Sequence, residues 1–169
     1  SESELAKIAK LHFSTLSANF LCSVKITTLS SERVEDYVEF EGTEYLQKSE
    51  IEKTPVIYLT PHMGAWELLA QIKSVAPSIK QGAIYRALSN KLLDKHVLKR
   101  REQNGLKPFD RKDGFQAPIK HLNEGGGLGI LVDQNAGYKG IWCPLFGKLA
   151  STSNLAPLMA KKTDATMYP

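Results

Sequence analysis

The chain has 169 residues, 42% of them apolar and 24% charged, enough for one α/β domain with a real core or for most of a larger one. That balance excludes a disordered tail, and a net charge of +4 suits an anionic substrate, a membrane surface or a nucleic acid without choosing among them. Cys22 and Cys143 give neither a disulfide framework nor a metal-ligand spacing, so both are expected to be reduced and incidental.

No apolar run reaches the ~20 residues of a membrane-spanning helix, and there is no signal peptide. The chain begins without Met and stops at Pro169 as a strand is opening. The expectation is a piece of a longer protein, truncated at both ends.

Residues 2–22 carry Leu5, Ile8, Ala9, His12, Leu16 and Phe20 at helical spacing, behind a Ser and a Glu suited to the cap and first turn. An amphipathic helix docked on the domain is expected, because Lys7, Lys10 and Lys25 are too few for a polybasic membrane face. Residues 30–33 read as a turn or helix start, and 37–41 alternate like an exposed strand ending at Gly42. A short helix is expected over 43–48 with Thr43 as its N-cap. The division is an N-terminal helical segment, 1–36, packing on an α/β domain, 37–169.

From residue 55 the rhythm is regular. Strands are predicted at 55–60, 82–85, 106–109 and 128–132, and helices at 64–73, 90–104, 113–123 and 153–162, with Ala165 opening a last strand. In the second of those helices Leu92, Leu93, His96 and Val97 are placed inward, and Gly105 closes it in a left-handed C-cap. Strands alternating with helices of this length predict an α/β fold with a mostly parallel sheet, helices on both faces. Residues 134–152 read as a long loop carrying Tyr138, Trp142 and Phe146 among its glycines, and loops of that length are more often functional than idle.

In an open parallel sheet, ligands sit beyond the carboxyl ends of the strands. Three such ends carry polar residues: His62, Arg86 and Asp133. His62 lies in a turn eased by Gly64, and Glu67 falls in the first turn of the following helix. A carboxylate there can fix the imidazole tautomer and stabilise the imidazolium, leaving the other nitrogen to take a hydroxyl proton. By themselves the two residues serve equally as a capped helix start. Arg86 offers a fixed positive charge for a phosphate or an oxyanion, or a surface ion pair. Asp133 is read as a carboxylate that pairs with Arg86 or shapes the pocket floor. No Walker A sequence exists, and Gly125-Gly-Gly127 is a turn rather than a dinucleotide loop. His12, His96 and His121 lack partners at ligand spacing, so no metal site is expected. The basic residues Lys99, Arg100, Arg101, Lys107, Arg111 and Lys112 form a solvated face or a surface for a phosphate-rich membrane or anionic cofactor.

With these residues placed, the chain resembles the bacterial lipid A biosynthesis (late) acyltransferases of lauroyl/myristoyl type. Thr60-Pro-His-Met-Gly-Ala-Trp-Glu67 is similar to that family's His-x-x-x-x-Glu box. Tyr85-Arg86, Gly129-Ile-Leu-Val-Asp-Gln134 and Pro144-Leu-Phe-Gly147 follow in order. Departures are Pro61 before the His, Ala65 where Asn is usual, and Leu145 where a second Phe is common. The resemblance implies a glycerolipid-acyltransferase-like fold and fatty acyl transfer from an acyl-carrier-protein or acyl-CoA thioester to a lipid A precursor hydroxyl. It makes His62 the general base, Glu67 its partner, and Arg86 and Asp133 pocket residues. Neither cofactor nor covalent intermediate is implied. The implied partners are acyl-carrier protein, an anionic glycolipid and the membrane surface, with no nucleic acid. The implied location is the cytoplasmic face of the bacterial inner membrane, held peripherally or by an N-terminal helix outside this chain. The aromatic loop 134–152 is expected to line an acyl groove. The alternatives are an acyltransferase for another glycolipid or glycerophospholipid, and a non-catalytic lipid-binding relative.

Overall fold

The computed structural model describes every residue of the chain except Thr27, Ser30 and Glu35. Strand β1 (Val56–Thr60) sets the layers. Side chains alternate along a strand, so Val56 and Tyr58 leave one face and Ile57 and Leu59 the other. The first face packs on Ile72, Ala76 and Ile79, which belong to or follow a 3-10 helix at Trp66–Ser74. The second meets Leu122 of helix α5 (Gln116–Asn123) and Ala156 and Met159 of helix α6 (Leu155–Thr163). A strand covered on both faces reads as an unbroken apolar run, as this one does.

The sheet is parallel throughout, in the order β3 (Leu106–Asp110), β2 (Gln81–Tyr85), β4 (Gly127–Leu131), β1, β7 (Thr166–Tyr168). Strands β2, β4 and β1 are therefore neighbours although far apart in sequence. The expected α/β class with helices on both faces is formed.

The glycine run before β4 is a place of close approach. Gly125 turns the chain at φ 79°, and a Cβ on Gly126 would lie 2.5 Å from His121 Nε2. One on Gly127 would meet the Tyr58 hydroxyl at 2.8 Å. His121 is buried beside Phe109 and donates from Nε2 to the Gly127 carbonyl at 3.1 Å. It is a core histidine, and burial holds its pKa below the usual 6.5.

Several local expectations are corrected. Residues 37–41 form no strand: the Tyr37 and Val38 amides bond back to Val34 O, in a turn after the short helix α2 (Ser31–Val34), instead of pairing with a neighbour. Ser30, the expected start of that turn, lies outside the described residues. Helix α3 runs over Thr43–Glu52, with left-handed Gly42 (φ 71°) rather than Thr43 at its N-cap. It is pinned to β7 by a 2.9 Å bond between the Ser49 and Tyr168 hydroxyls. Residues 141–152 fold as an antiparallel hairpin, β5 (Ile141–Leu145) and β6 (Lys148–Thr152). Helix α1 (Glu2–Ile26) touches the fold at the 3-10 helix, and Leu5, Ile8, Leu16 and Phe20 are exposed along it. Among the described residues no helix is long and apolar enough to cross a membrane.

Candidate active site

Strand register brings the site together. Thr60 of β1 pairs with Leu131 of β4, and the Val132 amide extends the ladder to Thr60 O. Two residues beyond Thr60 stands His62; two residues beyond Leu131 stands Asp133. They are level across adjacent strand ends. The His62 backbone N–H donates to Asp133 Oδ2 at 2.8 Å, and its ring Nδ1 lies 2.7 Å from Oδ1.

This geometry fixes the proton. Burial raises the Asp133 pKa, but the bonds from the His62 ring and backbone N–H outweigh it, and the carboxyl is held below its usual value. An ionised carboxylate only accepts, so Nδ1 carries the hydrogen and Nε2 is left as the basic nitrogen. Trp66 packs edge-on against the imidazole, with ring centroids 5.4 Å apart.

The expected pairing of His62 with Glu67 is not what the chain forms. Gly64 (φ 62°) turns the backbone so that Glu67 enters the 3-10 helix facing helix α4 (Lys91–Gln103). There Arg101 grips both carboxylate oxygens, from Nε at 3.1 Å and from a terminal nitrogen at 2.5 Å. The expected Asp133–Arg86 contact gives way likewise, since both Asp133 oxygens are engaged by His62.

His62, Glu67, Arg86 and Arg101 line one cleft of about 1220 Å³ together with Gln134 and Asn135. Asp133, expected as a pocket residue, is not part of the lining and bears on the cleft through His62. Leu69, Val97, Leu98, Phe115, Leu155 and Met159 give it apolar stretches. Among the described residues the cationic lining is Arg86, Lys91, Arg101, Arg111, Lys112 and Lys162, against Glu67 and Asp94. Glu67 is taken by Arg101, and Asp94 accepts the Leu88 amide at 2.8 Å. The field in the cleft therefore favours anions.

Arg101, Arg111 and Lys112 appeared in the sequence only as part of a basic stretch. Helix α4 is also rotated from expectation. Leu92 is 83% exposed and Leu93 and His96 face solvent, whereas Asp94, Val97, Leu98 and Arg101 make the stripe towards the cleft. Spacing 94-97-98-101 is as helical as 92-93-96-97, so periodicity alone cannot choose between them. Among the described residues no cluster of His, Cys, Asp or Glu is disposed to hold a metal.

A parallel sheet wrapped by helices, with a carboxylate-fixed histidine at its strand ends and a cationic, partly apolar cleft, is an α/β fold of acyltransferase type. The family model described as bacterial lipid A biosynthesis acyltransferase matches residues 1–169, and the chain belongs to that family. It is an acyltransferase, of a membrane-associated family of enzymes. No curated protein matches the chain.

Proposed function

We propose that the chain moves a fatty acyl group from an acyl-carrier-protein thioester to a hydroxyl of a lipid A precursor, with His62 as general base and Asp133 as the carboxylate that orients it. The observation that carries this reading is the pair of hydrogen bonds that His62 gives Asp133, from its backbone N–H and from Nδ1, which leaves Nε2 as the unprotonated nitrogen at the edge of the cleft. Nε2 takes the proton of the acceptor hydroxyl as its oxygen attacks the thioester carbonyl carbon. The carbonyl oxygen gathers negative charge, and Arg86, which lines the same cleft, is the cation assigned to stabilise it. Collapse of the adduct breaks the carbon–sulfur bond, and the imidazolium returns its proton to the leaving thiolate. The products are an ester and a free carrier thiol, and no covalent enzyme intermediate is needed.

Glu67 has a different part in this mechanism from the one its place in the sequence box suggests. Closed on Arg101, it braces the 3-10 helix against α4 and shapes the cleft wall. A non-catalytic lipid-binding relative has no use for an ionised carboxylate locked onto a histidine, and acyl transfer does. The cationic lining suits both an acidic carrier protein and an anionic glycolipid. The reaction belongs at the cytoplasmic face of the inner membrane, where carrier and lipid meet. The test is transfer of labelled acyl groups from acyl-carrier protein to a lipid A precursor, with acyl-CoA and glycerol phosphate as competing donor and acceptor. Efficient acylation of glycerol phosphate, with none of the glycolipid, would overturn the acceptor assignment.

A further inference from the structure

We infer that the β5–β6 hairpin is a wedge that enters the bilayer surface beside the cleft, with anionic phospholipid as its occupant. The inference rests on the reading that the acceptor is a lipid, and it adds how the site reaches that lipid.

Among the described residues the hairpin's large apolar side chains stay mostly open to solvent. Trp142 is 57% exposed and Phe146 is 99% exposed, with Ile141, Leu145 and Leu149 open on the same two strands and Tyr138 at their base. The expectation that this segment lines an acyl groove fails on position. The cleft wall includes residues 134–136 and resumes at Ser153, and no residue of 137–152 contributes to it. The hairpin rises from the rim of the site instead of roofing it. Its root is held there by the Ser151 hydroxyl on Gly137 O at 2.5 Å and by the Ala136 amide on Ser151 O.

The turn carries a second observation. Phe146 and Gly147 are its two central residues, at φ 48° and 74°. Both positions of such a turn need positive φ, for which Asn-Gly is the favoured pair. A bulky aromatic residue in the left-handed region is strained, yet here it stands at the tip with its ring open to solvent and no packing to offset the strain. Residues kept in strained backbone on an exposed apolar tip gain from what the tip enters. Trp and Tyr on one body with flanking lysines are the side chains of a bilayer interface. Lys139 and Lys148, both exposed, stand beside the aromatics and match anionic headgroups. A lipid hydroxyl lifted at this rim would meet the cleft a few residues from Asp133.

The test uses the full chain and vesicles of phosphatidylcholine with or without phosphatidylglycerol, without substrate. Phe146→Asn removes the aromatic tip while giving the turn its preferred residue. It is expected to fold with unchanged or raised Tm and to lose vesicle affinity on the order of tenfold, the scale of one buried Phe. In a Trp66→Phe background Trp142 is the single indole, and its emission should shift to the blue with phosphatidylglycerol vesicles and less with phosphatidylcholine alone. Acyl transfer to a detergent-dispersed acceptor should persist in Phe146→Asn, so failure of the wedge leaves the acyl-transfer reading standing. Equal vesicle binding by wild type and Phe146→Asn with an unshifted Trp142 overturns the inference. So does a wild-type dimer that becomes monomeric in Phe146→Asn with vesicle binding unchanged, which assigns the hairpin to a second copy.

Discussion

Two carboxylates in the cleft region are each held by a nitrogen-bearing partner, and the two pairs are built for different work. Asp133 and His62 meet across the ends of adjacent parallel strands, with side chains 36% and 34% exposed. Glu67 and Arg101 meet across two helices, with side chains 18% and 19% exposed. In the second pair the fork of the guanidinium closes on both carboxylate oxygens, and Arg has no proton to give up near neutral pH. That pair is shut and fixes a shape. In the first pair the carboxylate holds one ring nitrogen and leaves the other without a proton and open to the cleft, so only this pair can take up a proton from a substrate.

The largest effect expected from this contrast is at the base itself. His62→Ala should lower acyl transfer by roughly 10²–10⁴-fold, the range of a lost general base, while circular dichroism and Tm stay close to wild type. Next comes Asp133→Asn, which keeps the shape but can present an amide hydrogen to Nδ1 and so release the tautomer. A fall in kcat of about 10²-fold or more is expected, with KM little changed. Glu67→Gln under the same assay should remain within about tenfold of wild type. If Glu67→Gln is the more damaging of the two, the orienting acid is Glu67 and the geometry of the resting cleft does not represent the reacting one.

This ordering separates what the residues announced from what only the fold supplies. The apolar runs at β1 and β4 were legible because each is largely buried on both faces, and the rule that ligands gather at strand ends singled out His62, Arg86 and Asp133. Which of these touch was not legible. His62 meets Asp133 because β4 lies next to β1, and a strand order is a long-range property that no local pattern encodes. Glu67 looked like the partner by nearness in sequence, yet the turn at Gly64 sends it towards α4. Arg101 was hidden for a related reason, since the helix has two stripes of equal periodicity and packing chose the one with charges in it. The hairpin was hidden by composition, because its glycines and aromatics read as a loop until Phe146-Gly147 is seen as a two-residue turn.

The shut pair predicts a change in stability where the open pair predicts a change in rate. Removing the Glu67 charge leaves Arg101 four-fifths buried without its counter-ion. The expected loss is about 1.5–3 kcal/mol, the range for a hydrogen-bonded charged group. For a chain of this size that is a fall in Tm of roughly 3–10 °C. Asp133→Asn, at a more exposed pair, should move Tm by less. Arg101→Gln should reproduce the loss, and adding it to Glu67→Gln should cost little more, because the two act as one unit. Full additivity would mean that each side chain stabilises the fold separately.

The smallest effect is the dependence of stability on acid, and the surroundings of His121 and Asp133 separate its parts. His121 has a pKa below 6.5 in the folded chain because burial disfavours its charge. The unfolded chain therefore takes up this proton first, and folding loses stability as pH falls from the ordinary histidine value towards the folded one. Asp133 has a folded pKa below 3.8. Its contribution is complete above the ordinary carboxyl range and is lost only as pH falls through that lower folded value. Urea midpoints measured against pH should thus show an upper step from the buried ring and a separate lower one from the paired carboxylate. His121→Gln should flatten the upper step, below the ordinary histidine value, and leave the lower one alone, and Asp133→Asn should do the reverse. A wild-type midpoint that stays level over the upper range would show that His121 is not held neutral by the core, and the close packing of Gly126 against its ring would have to relax on protonation.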